Sequence, residues 1–167
     1  VTQTFRREYI DDLRNTAYLS ANTWGHRILN RDWHLGNDLI VSIDRGRPDW
    51  RPIDGDELGK LEIIQDESDR FHEATPHVPQ LVTDRTIDVM RNGEFDRTIA
   101  HFLLPHSPFI AEAAEQRRPL RDYEKDYSAA LKSGTPREVV WEAYLENLRL
   151  VLGYVETILS NVDSDRV

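Results

Sequence analysis

Apolar and polar positions along the 167-residue chain change period several times, and each change marks an element. In "QTFRREYIDDLRN" (3–15), Phe5, Tyr9, Ile10 and Leu13 fall on one face of a 3.6-residue repeat, which predicts an amphipathic helix. "TAYLSAN" (16–22) reads as a short strand, with Asn22 and Gly25 in the loop after it. "NDLIVSID" (37–44) groups Leu39, Ile40, Val41 and Ile43, as a buried strand does. Residues 44–60 mix two prolines and three glycines with charges, the composition of a surface loop. "LEIIQDESDRF" (61–71) fits a helix or a strand, and "ATPHVP" (74–79) reads as a proline-bounded connector.

The later part of the chain is more regular. "QLVTDRTIDVMRN" (80–92) predicts a helix with Val82, Thr86, Val89 and Met90 inward and Gly93 at its C′ position. "RTIAHFLL" (97–104) reads as a buried strand ending at Pro105, so helix and strand together form half of a βαβ unit. Residues 111–134 are polar and partly helical, with a break at Pro119, and are expected to form a second surface excursion. Residues 135–163 predict one long helix ending near Asn161. Thr135 is expected as N-cap, Pro136 at N1 and Glu138 in a capping box. Trp141, Tyr144, Leu145, Leu148, Leu152, Val155 and Leu159 form its apolar stripe. Helices alternating with strands predict a single α/β domain over 1–167, layered, with a mostly parallel sheet flanked by helices.

Composition narrows the functional classes. The net charge is −9, and no basic stripe of the kind that neutralises phosphates is present, so no nucleic-acid partner is expected. No apolar stretch approaches the roughly 18 residues that span a bilayer, so no membrane association is expected. The first residues carry no apolar signal core, which with the absent span points to a cytoplasmic location. The chain does not begin with methionine and is expected to be processed, trimmed or a piece of something longer. It has no cysteine, so thiolate nucleophiles and cysteine-held zinc are excluded. Many aspartates and only Lys60, Lys125 and Lys132 as lysines suit a protein that stays soluble in high salt. A GC-rich coding sequence gives the same bias.

Histidines are the main candidates for chemistry. His106 lies between Pro105 and Pro108, where regular structure has just stopped. There it either faces a substrate oxyanion or a metal, or caps backbone groups of the turn. His101 sits inside the expected strand and reads as a buried histidine held by a hydrogen bond. The five-residue separation of His101 and His106 is no metal signature, because odd separations on a strand face opposite ways. Asp32 and His34 would share a face if extended, or belong to a solvated loop. His26, His72 and His77 have no positioned partner in the sequence. Asp11, Asp12, Asp54, Asp56 and Glu57 read as solvated carboxylates. Phosphate-loop, dinucleotide, nucleophile-elbow, zincin and calcium-loop patterns are all absent.

"FDRTIAHFLLPHSPFI" (95–110) resembles the central strand and Pro-His-x-Pro turn of sulfatase-like members of the alkaline phosphatase superfamily. "YIDDLRNTAYLSAN" (9–22) is similar to the family's helix and strand ending in Ser-x-Asn. Residues 140–167 resemble the long helix that precedes its Asp-His-Gly strand. The resemblance implies an incomplete alkaline-phosphatase-like fold, with His106 facing a sulfate or phosphate group. It also implies a divalent metal cofactor in the relatives. Their metal ligands and their nucleophile have no counterpart in this chain, so no metal ligand is assigned here. Displacement at phosphorus or sulfur needs a cationic clamp and an activated nucleophile, and one histidine supplies neither. The chain alone is therefore expected to be inactive. The alternative is a non-catalytic acidic α/β domain that acts by binding or assembly, through the long helix and the loops around Trp33 and Trp50. Either reading allows a homo-oligomer or a partner chain recruited by exposed sheet edges.

Overall fold

A five-residue strand buried along its whole length organises the fold. β1 (Thr16–Ser20) is the middle strand of a three-stranded sheet in the order β2-β1-β3, with β2 at Lys60–Ile63 and β3 at Arg97–His101. Both of its pairings are parallel, with Tyr18 opposite Leu61 on one side and Ile99 on the other. Between and after the strands run α1 (His77–Asn92), α2 (Ala111–Glu115), α3 (Asp122–Lys125), α4 (Tyr127–Lys132) and the 25-residue α5 (Arg137–Asn161). The computed structural model describes residues 13–22, 55–64 and 77–163. The expected strand 37–44, nearly all of the expected helix 3–15, and most of the loop 44–60 lie outside the described residues. The α/β class with a parallel sheet is as expected.

Period-two alternation gives β1 two different faces. Ala17 and Leu19, continued by Ala21, enter an apolar core with Ile64, Val82 and Val89, and α1 covers that face. Thr16, Tyr18 and Ser20 occupy the other face and are equally buried. α1 keeps its own polar groups satisfied. The buried hydroxyls of Thr83 and Thr86 donate to the carbonyls of Pro79 and Val82, at 2.9 and 2.6 Å. Its solvent side is tied to β2 by Arg85, which donates to both carboxylate oxygens of Glu62 at 2.8 and 3.1 Å. A second apolar cluster of Ile110, Ala113 and Leu120 packs with Leu104 and Leu150, so the 111–134 segment has buried residues of its own.

Several boundaries differ from the sequence reading. The connector 74–79 is already helix from His77, because a proline in the first turn lacks only an N–H that would have no helical acceptor. Lys60 belongs to β2 rather than to the preceding loop, and 61–63 is strand. β3 is half-buried and ends at His101 instead of running to Leu104, since β1, its ladder partner, ends at Ser20. Thr135 is not the N-cap of α5. Its N–H closes the end of α4 on the Ala130 carbonyl at 3.0 Å, which leaves Pro136 at the cap with no side-chain cap bond. The buried face of α5 is Val140, Asn147, Val151 and Ile158. That face lies about 100° round the helix from the stripe that runs from Trp141 to Leu159.

Two glycines have opposite roles. A Cβ on Gly59 would lie 2.1 Å from the Arg14 carbonyl oxygen and 2.8 Å from the Phe95 ring. Gly153, inside α5, has nothing within 4 Å of that position. Gly59→Ala is expected to lower stability by about 2–3 kcal/mol through overpacking. Gly153→Ala is expected to raise it by about 0.5–1 kcal/mol through helix propensity. Urea unfolding of the two variants beside the parent chain checks both signs.

Candidate functional site

The carboxyl edge of a parallel sheet is where α/β folds place ligands. Here that edge gathers three polar side chains. Ser20 and His101 end their strands as register partners, and Tyr18 shares the face of Ser20. His101 Nδ1 lies 2.6 Å from the Tyr18 hydroxyl and 3.1 Å from Ser20 Oγ. Ser20 Oγ also accepts the Asn22 backbone N–H at 3.0 Å. The Tyr18 and His101 rings meet edge-on, with centroids 5.9 Å apart. Main-chain bonds fix the same corner: the Ala21 N–H donates to the His101 carbonyl at 2.9 Å, and the Ile64 N–H to that of Ser20 at 2.8 Å.

Burial holds the His101 imidazole below its ordinary value and favours the neutral ring. The short contact fits the Tyr18 hydroxyl donating into Nδ1, which puts the ring proton on Nε2. The Ser20 side chain is completely buried, so its hydroxyl anchors the imidazole and does not reach an electrophile. His101 is thus a half-buried, hydrogen-bonded histidine, as the sequence suggested.

His106 stands on a different footing. It lies in the turn that follows β3, between the cis bonds Leu104–Pro105 and Ser107–Pro108, and its side chain is exposed. The ring donates from Nδ1 to the Ser107 carbonyl at 2.7 Å, leaving Nε2 for a ligand. Its backbone N–H donates to the Leu103 carbonyl at 3.1 Å. The capping reading of His106 is met on one ring nitrogen, and the residue as a whole is exposed.

A buried carboxamide holds that turn against the long helix. Asn147, fully buried on α5, accepts the N–H groups of Ile110 and Ala111 on Oδ1, at 2.9 and 3.1 Å. Its Nδ2 donates to the carbonyls of Pro108 and His106, at 3.0 and 3.4 Å. A few residues on, the buried Glu124 carboxylate is gripped by the Arg118 guanidinium at 2.6 and 2.7 Å and by the Arg121 N–H at 2.6 Å. Burial pushes that carboxyl up, but Arg118 and the Arg121 N–H outweigh it and hold the group below its ordinary value. The Glu124 carbonyl accepts the Phe109 N–H at 2.8 Å, which joins this pair to the same turn.

Sequence reasoning named His101 and His106 but not Tyr18, Ser20, Asn147 or Glu124. A lone asparagine between Val140, Val151 and Ile158 on one helical face was the available signal. His26, Asp32, His34 and His72 lie outside the described residues. Among the described residues, no three histidine, aspartate or glutamate side chains converge where a metal could be held. No protein-family model, no curated protein and no solved structure matches the chain.

The shifted His101 proton makes stability depend on pH. An unfolded histidine takes up a proton near pH 6.5, before the folded His101 does, so stability falls as the pH drops below that value. His101→Gln removes this titration. The pH dependence of its urea midpoint between about pH 5 and 7 is expected to be flatter than the parent's, and equal slopes would refute the linkage.

Proposed function

We propose that the chain forms the sheet-and-turn region of a sulfatase-like α/β ester hydrolase, in which His106 contacts an oxyanion of a phosphate or sulfate ester. The observation that carries this reading is the presentation of His106. It lies past the carboxyl end of a parallel strand, on a turn clamped by Asn147, with Nδ1 bound and Nε2 available. In its protonated form the ring donates from Nε2 to the anion while Nδ1–H stays on the Ser107 carbonyl. The resemblance in 95–110, 9–22 and 140–167 points the same way. The divalent metal of the resembled family finds no fitting ligand cluster among the described residues. The role assigned to this chain is anion contact without turnover.

Phosphate or sulfate is expected to shift the His106 ring signals and the backbone amides of the turn around it in NMR spectra of the purified chain, with weak affinity, and His106→Ala is expected to abolish the amide shifts. Aryl phosphate and aryl sulfate are expected to remain intact, with or without Mn²⁺, Zn²⁺ or Ca²⁺. Metal-dependent hydrolysis that falls in His106→Ala would overturn the inactive role, and a His106 signal indifferent to both anions would overturn the contact.

A second reading, assembly with another copy of the chain, draws on the outer row of α5. Residues 141, 145, 148, 152, 155 and 159 step alternately by four and three, the spacing of a helix-pairing seam. Trp141 is 58% exposed, Leu152 54% and Leu159 42%, which is high for side chains of this size. A second copy offers the same row by two-fold symmetry. Each copy carries a net charge of −9, so association is expected to strengthen as salt screens the repulsion. Sedimentation of the parent chain and of Leu152→Asp at low and high NaCl tests this. The parent should form a salt-promoted dimer and the variant should stay monomeric; a parent that is monomeric throughout refutes the reading.

A further inference from the structure

The carboxamide of Asn147 has a role beyond filling a polar gap in the core. We infer that Asn147 is the positioning residue for His106, setting the turn that fixes which ring nitrogen faces outward. The inference deepens the oxyanion reading of His106, but its first test does not depend on that reading.

A carboxamide has two donor hydrogens and one acceptor oxygen with two lone pairs. Asn147 uses all of them on one short stretch of backbone. Oδ1 takes the N–H groups of Ile110 and Ala111, and Nδ2 reaches the carbonyls of Pro108 and His106. Four backbone groups on both sides of Pro108 are thereby referred to a single point on α5. Ser107, whose carbonyl receives the His106 ring, lies between two of those four residues. Its direction is therefore fixed from both sides. α5 is itself held: Arg91 of α1 donates to the carbonyl and side-chain oxygen of Asn161, both at 3.0 Å. Aspartate at 147 would keep the acceptor but lose the donor, and would set an anionic oxygen against the Pro108 and His106 carbonyls. Alanine would lose both and leave the Ile110 and Ala111 N–H groups without a partner.

The test uses the full chain and reads the tautomer of His106 from its ring ¹⁵N shifts. The parent is expected to carry the proton on Nδ1. Asn147→Asp and Asn147→Ala are expected to move His106 to a mixture of both tautomers. Gly59→Ala, weakened at a distance from the turn, is expected to keep the parent tautomer and so separates positioning from a general loss of stability. If neither Asn147 variant folds, amide exchange of the parent decides. Ile110 and Ala111 should exchange only as slowly as the middle of α5, and fast exchange of both would overturn the inference. An unchanged His106 tautomer in a folded Asn147 variant would also overturn it. Added phosphate separates the two ideas. In the folded variants its affinity should fall about tenfold or more if both hold. A parent His106 that ignores phosphate but loses its tautomer in Asn147→Asp would leave the positioning role standing and remove the anion.

Discussion

A polar side chain on the inner face of a long helix must be fully satisfied or it destabilises the helix it sits on. Asn147 meets that constraint with four bonds to one turn, and much of the molecule follows from it. It fixes where the chain goes after β3, and so where α2 begins. Through α5 it connects that turn to α1, which covers the apolar face of β1. The sheet and the C-terminal helices meet at this carboxamide and at the neighbouring apolar cluster of Ile110, Ala113 and Leu120.

Other buried polar groups follow the same rule. Tyr18, Ser20 and His101 satisfy one another across two strands, and Glu124 is paired with Arg118. Every buried side-chain polar atom among the described residues has a partner. Such groups are weak sources of net stability, because their desolvation offsets most of what the pairing returns. Their effect is geometric. An apolar core tolerates small sliding of one element over another, whereas a carboxamide shared by four backbone groups does not. The turn that presents His106 is held by bonds of this directional kind.

The elements were legible where local signals were strong. Gly93 marked the end of α1, the apolar β1 stood out between polar neighbours, and α5 ended at Asn161 as its periodicity indicated. The start of α1 was hidden because Pro79 looks like a breaker in sequence and is harmless in a first turn. The buried face of α5 was hidden for a different reason. Its outer row is more apolar than its inner one, so the hydrophobic pattern pointed about 100° away from the core. The Tyr18–Ser20–His101 cluster could not be read at all. It exists only through a strand register between residues 81 apart, and no local pattern encodes that pairing. His106 could be singled out from its prolines, but the carboxamide that holds it comes from 41 residues later.

The strand order also has a consequence for the birth of the protein. Among the described strands β1 precedes both of its ladder partners in the chain, so its two pairings are completed only after β3 has been made. Until β3 has been synthesised, one edge of β1 has no ladder, and its Tyr18 and Ser20 hydroxyls have no imidazole. Pairing over such a separation carries a large loop-closure entropy and slows folding. The nascent chain must therefore keep this strand from mispairing until β3 has been made. A run of only five residues limits what a neighbouring chain could pair with in that interval.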